Sequence, residues 1–255
     1  MATIALTSGA TREERLFAGL AIGMAAVIIA GFSTQFFAGR SSFGSPLVVH
    51  MHAVTFMTWI ALFVTQSTLV ARNSMALHRT LGWIAGGWTI VMVIMGCVIS
   101  TRAVRYGLVP PFFQPQRFMI INPLTVVTFA GLTWTAIAMR KRTDWHRRLH
   151  VCAMATIMGP GFGRLLPMPL MIPWSFEIAW GCGLIFPVIG MAFDLRRRGS
   201  VHPAWFTGLA VIVGMFVFSE LLAVSPVADA LYPVVTNGAP GATHAPLAYA
   251  PKSLL

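Results

Sequence analysis

Residues 47–70 read LVVHMHAVTFMTWIALFVTQSTLV, with no Asp, Glu, Lys or Arg among them. A bilayer core about 30 Å thick takes about 20 apolar residues per helical crossing, so this stretch is long enough to span and carries no charge that forbids it. Outward from it, six further runs are similarly apolar, three of them with a single charged residue each, Arg164, Glu177 and Glu220. The seven candidate spans are 16–33, 47–70, 81–100, 119–139, 149–165, 174–193 and 204–224.

Composition agrees with that reading. Hydrophobic residues make up 56% of the 255 and charged residues only 10%, whereas a soluble domain carries about 25% charged residues. The chain therefore reads as an all-α, polytopic helical membrane protein of about seven transmembrane helices. Its expected organisation is a cytoplasmic N-terminal segment, 1–15, a transmembrane domain, 16–225, and a flexible extracytoplasmic tail, 226–255, rich in Ala, Pro and Gly. The first run follows Arg12 and Arg15 but is long for a signal-peptide core and lacks a clear small-x-small cleavage site, so it reads as a retained anchor.

The formal charge of +11 would suggest nucleic acid in a soluble protein. Here the arginines sit in short loops between apolar runs, where they set topology and meet anionic lipid, so the expected partner is the bilayer and nucleic acid is excluded. Basic residues near span ends stay in the cytoplasm. One side collects twelve, Arg12, Arg15, Arg72, Arg79, the five between 140 and 148, and Arg196 to Arg198, against six on the other, Arg40, Arg102, Arg105, Arg117, Arg164 and Lys252. This asymmetry predicts a cytoplasmic N-terminus and, with an odd number of spans, an extracytoplasmic C-terminus.

A repeat runs through the inner loops. Arg72 precedes His78, Arg140 precedes His146 and Arg196 precedes His202, each time with five residues between. The pattern suggests one helix followed by three helical hairpins, spans 2 and 3, 4 and 5, 6 and 7.

Ionisable groups at membrane depth are costly enough to demand a reason. The inner layer holds His78, His146, His150 and His202. His146 and His150, four apart, share a helix face and would both reach one metal or ring edge. On a pseudo-threefold arrangement His78, His146 and His202 would be equivalent, with Asp144 or Asp194 holding their second nitrogens. The bland alternative is that all four cap helix starts among lipid phosphates. The outer layer holds His50 and His52, Arg117 and Arg164, and Glu177 and Glu220 about one turn inside spans 6 and 7, where ion pairs with these arginines are expected. Span 5 breaks through Gly159-Pro160-Gly161-Phe162-Gly163, and interrupted helices at membrane depth line cavities.

Span 2 itself carries a stripe, His52, Phe56, Trp59, Phe63, Gln66 and Val70, that sets His52 and Gln66 on one face about 21 Å apart along the axis. Two histidines so placed would signal stacked b-type haems; with Gln66 at the inner position, at most one outer haem would use His52. Span 3 lines up Gly82, Gly86, Thr89, Val93, Gly96 and Ser100, a face that would admit a flat cofactor and more commonly lets two helices approach. The cysteines, Cys97, Cys152 and Cys182, lie far apart and read as small core residues. No nucleophile with a base, phosphate-binding loop or paired catalytic carboxylate stands out, and whether the chain is an enzyme stays open.

At His78-Arg79-Thr80-Leu81-Gly82, Asp144-Trp145-His146-Arg147-Arg148-Leu149 and Asp194 through His202-Pro203, the chain resembles uncharacterised bacterial multi-pass inner-membrane proteins of the domain-of-unknown-function kind. The likeness covers about residues 48–210. It implies the topology and an inner-membrane location but brings no activity, and His150 departs from it where methionine is more usual. Three functions follow as expectations: a haem- or metal-binding redox or assembly protein using His52, His78, His146, His150 and His202; a small-molecule permease or exporter; and a non-catalytic membrane subunit, with a protein partner or as a homo-oligomer.

Overall fold

The computed structural model describes residues 11–41 and 43–250; the N-terminal segment up to residue 10, and Lys252 from the basic count, lie outside them. The described chain is all-α. Its α-helices are α1 (Arg12–Phe37), α2 (Leu47–Ala71), α3 (Met75–Arg105), α4 (Pro115–Ala138), α5 (Thr143–Thr156), α6 (Gly159–Leu165), α7 (Ser175–Gly181), α8 (Ile185–Arg198), α9 (Pro203–Ala223) and α10 (Pro226–Thr236).

Local signals set the boundaries. Thr11 and Glu14 close a capping box on α1, and Pro stands in the first turn of α4, α9 and α10, where its missing N–H costs nothing. Gly199, in the left-handed region at φ 71°, ends α8. Among the described residues six crossings are long and apolar enough for a bilayer: α1, α2, α3, α4, the stretch Ser175–Arg198 that joins α7 to α8, and α9. This is a multi-pass membrane protein.

The seventh run is the interrupted one. Pro160 has no N–H to continue the ladder, so α5 stops at Thr156 and α6 restarts at Gly159. The two pieces run alongside α1 from end to end: Arg148 near the start of α5 meets Glu13 at the start of α1, and the backbone carbonyl of Arg164 in α6 accepts a 3.1 Å bond from Gln35 near the end of α1. The approach is closest where Gly31 faces the Gly161 carbonyl, at 2.5 Å from where a Cβ on Gly31 would sit, a gap no larger residue would leave.

α5 is the centre of the bundle. Every residue from Leu149 to Met158 except His150 is buried, while the other spans turn Ile22, Ile29, Val54, Ile90, Ile94, Val217 and Leu221 outward as a lipid-facing surface. A helix apolar all round belongs inside. Of the three expected hairpins, α2–α3 and α4–α5 pack as close neighbours, but α9 packs chiefly on α4 and α5 and only slightly on α8.

The tail corrects its expectation. It is not loose: through residue 250 it folds onto the ends of α3 and α4. α10 buries Ala228, Tyr232 and Thr236, the Pro246 carbonyl accepts from the Gln116 amide at 2.8 Å, and Ala250 N donates to Pro111 O at 3.2 Å.

Candidate functional site

The end of the bundle where α1, α5 and α9 start is built around Arg148, which is fully buried. Its Nε and one terminal nitrogen donate to the two Asp194 oxygens at 2.8 and 2.5 Å, the same terminal nitrogen reaches Glu13 at 3.0 Å, and the other donates to the Asp144 carbonyl at 2.9 Å. Trp205 Nε1 adds a 2.8 Å bond to Asp194. Glu13 also receives Arg147 at 2.6 Å, Arg197 at 3.2 Å and Arg198 at 3.0 Å. A buried charge survives only when paired and hydrogen-bonded, and this network ties the starts of α1, α5 and α9 to the end of α8. Sequence reasoning took Arg147 and Arg148 for loop cations and offered Asp194 to a histidine; Asp194 instead serves Arg148.

His202 does not join the other inner histidines. Its Nδ1 accepts from Ala204 N at 3.1 Å as the cap of α9, which leaves the proton on Nε2 to donate to Asp144 at 2.8 Å. The threefold equivalence of His78, His146 and His202 is therefore replaced by a capping role for His202. The second expected partnership, Asp144 with an inner histidine, is present in this pair. Burial pushes the Asp144 carboxyl up, but the bonds from His202 and from the Trp145 amide outweigh it and hold it below its ordinary value.

The remaining three do gather. The His146 ring stands edge-on to His150, with centroids 4.6 Å apart, and to His78 at 6.2 Å, and its Nδ1 is 2.7 Å from the Ala136 carbonyl. The Gln66 carbonyl faces the His78 ring. Among the described residues no group of three or more His, Cys, Asp or Glu is arranged to hold a metal ion. The span 3 glycine face is filled by α4: a Cβ on Gly86 would lie 3.1 Å from Ile137 and one on Gly96 2.9 Å from Val126, while Trp134 donates to Thr89 at 3.1 Å. It is a helix contact.

From this cluster a row of unsatisfied polar atoms runs along α2. Gln66 Oε1, Trp59 Nε1 and His52 Nδ1 are each buried without a hydrogen-bond partner among the described residues, as is His78 Nδ1. Residues seven apart share a helix face, so the α2 atoms lie two turns apart in one line. Between the polar ends stands an aromatic layer: Trp59 packs edge-on to Phe129 at 4.9 Å and beside Phe63, and His52 leans on Phe56. Buried polar atoms are ordinarily satisfied, and a set of exceptions calls for an explanation.

At the opposite end of the bundle, Glu177 and Glu220 both take the same Arg117 nitrogen at 2.6 Å. Arg164, expected among their partners, is elsewhere, over the Phe32 ring at 4.1 Å with one nitrogen on the Pro160 carbonyl at 2.9 Å, close enough for its charge to act on His52. The tail covers the neighbouring polar groups: Gln116 donates to Asp229 at 2.7 Å and Tyr249 to the Pro173 carbonyl at 2.9 Å.

Comparison with protein-family models, with curated proteins and with solved structures found no match.

Proposed function

We propose that the protein is a small-solute permease of the bacterial inner membrane whose path follows the inward face of α2. The observation that carries this is the row His52, Trp59 and Gln66, three buried polar atoms without partners, leading from Arg164 at one end to the His78, His146 and His150 rings at the other. Water or a polar solute is what such atoms accommodate. The aromatic layer at Phe56, Trp59, Phe63 and Phe129 separates the two polar ends, which favours a carrier that opens them in turn over an open pore. The broken α5–α6 pair beside α1 is the kind of interrupted helix on which such carriers pivot.

The inner-membrane location, with the N-terminus cytoplasmic, rests on the twelve-to-six basic asymmetry and on the loop motifs of residues 48–210, which also support membership of the uncharacterised family they resemble. Reconstituted vesicles swelling in isosmotic urea, ammonium chloride, or potassium phosphate with valinomycin test the reading by stopped-flow light scattering. Swelling faster than protein-free vesicles in one of the three, lost in Gln66→Leu, is the expected result; no acceleration in any of them overturns it.

A resident haem b or transition metal is the second reading, favoured by the 4.6 Å approach of the His146 and His150 rings. The filled glycine face ranks the haem lower, and the lack of a three-ligand arrangement among the described residues ranks the metal ion lower. A Soret band or stoichiometric metal that disappears in His150→Ala would reverse that ranking.

A further inference from the structure

We infer that Arg164, with His52, forms an anion site at the outer end of the α2 row, for a carboxylate or phosphate group; the inference rests on the permease reading and names its solute class. The chain has seven Asp and Glu residues, and each of these side chains is engaged elsewhere among the described residues. Glu13 and Asp194 hold the inner arginines, Asp144 holds His202, Glu14 caps α1 through Thr11, Asp229 meets Gln116, and Glu177 and Glu220 share Arg117. None faces Arg164.

A guanidinium carries five N–H donors, and among the described residues the Arg164 side chain makes a single hydrogen bond, to the Pro160 carbonyl. Its position is fixed rather than trailing: the Phe32 ring lies beneath it, its Cβ lies 3.3 Å from where a Cβ on Gly31 would sit, and its own carbonyl is tethered by Gln35. The α1–α6 contact at Gly31 and Gly161 thus fixes the cation at the end of α6, within electrostatic reach of His52 on α2, whose buried Nδ1 has no partner among the described residues. An uncompensated, positioned guanidinium with an unsatisfied imidazole in its electrostatic reach is complementary to an anionic oxygen group, which the guanidinium holds bidentately. Arg117, held between two carboxylates, offers no such charge.

The test uses the full chain, purified in a nonionic detergent and melted in sodium acetate or sodium phosphate at ionic strength fixed with sodium chloride. A saturable rise in melting temperature with either anion is expected. Arg164→Gln should weaken its half-saturation about tenfold or more, the loss of one charge-assisted hydrogen bond. Arg164→Lys, which keeps the charge, should retain part of it, and Arg40→Gln all of it. Vesicles of phosphatidylglycerol and of phosphatidylcholine separate the sources of the anion: an Arg164-dependent stabilisation by phosphatidylglycerol alone assigns the group to a lipid headgroup, and one by the soluble salts assigns it to a solute. A response identical in wild type and Arg164→Gln, or none to any of these anions, overturns the site. Anion binding without vesicle flux would remove the permease reading and leave the site standing; flux indifferent to Arg164→Gln would do the reverse.

Discussion

Arg148 grips both oxygens of Asp194, at 2.8 and 2.5 Å, from a position with no solvent exposure. The two residues lie on α5 and α8, so the pair clamps the central helix to the wall of the bundle, and Trp205 on α9 closes it from a third side at 2.8 Å. Removing one partner strands the other as a buried charge, and that cost exceeds the net worth of the intact pair.

Arg148→Ala should therefore lower stability by about 3–5 kcal/mol, read as a large fall in melting temperature in detergent. Arg148→Met combined with Asp194→Asn leaves no stranded carboxylate at this position and should recover part of the loss. Strict additivity of the two single changes would contradict the clamp.

The Asp144–His202 bond makes a pH prediction. Asp144 is held below its ordinary value, so its ionised form is favoured by folding. Such a carboxylate adds stability above its unfolded pKa, about 3.9, and loses that contribution as pH falls through the lower folded value. Melting temperatures of wild type and Asp144→Asn should differ most above about pH 5 and draw together as pH falls below about 3.9 toward the lower folded value. A gap that persists unchanged to pH 3 would contradict the assignment.

The spans and the two polar layers were legible because each depends on local pattern: apolar runs of bilayer length, and Arg, His or Glu at their ends. The stripe His52, Trp59, Gln66 was visible for the same reason, as a helical spacing on one segment. Partnerships across the bundle were not legible. Nothing near Glu177 or Glu220 selects Arg117 over Arg164, since the choice depends on how α4, α7 and α9 meet. Arg148 and Asp194, 46 residues apart, carry no signal that distinguishes them from interfacial charges. The tail misled because Ala, Pro and Gly read as linker, whereas Tyr232, Asp229 and Tyr249 each find a partner only once the chain has folded back.

Orientation is open to a direct check. Single cysteines at Ser74, in the turn between α2 and α3, and at Thr243, in the tail, are both exposed positions. In a background lacking Cys97, Cys152 and Cys182, an impermeant maleimide applied to intact cells should label Thr243→Cys and spare Ser74→Cys. The opposite pattern would invert the topology.

The central claim is that the inward face of α2 is a polar path, and the reaction of introduced cysteines with 2-aminoethyl methanethiosulfonate tests it most directly, because that reagent attacks thiolates only where water reaches them. In the same cysteine-free background, His52→Cys and Gln66→Cys should react, while Val54→Cys and Ala61→Cys, at positions that face lipid, should not. Silence at His52→Cys and Gln66→Cys, or equal reaction at all four, would contradict the path.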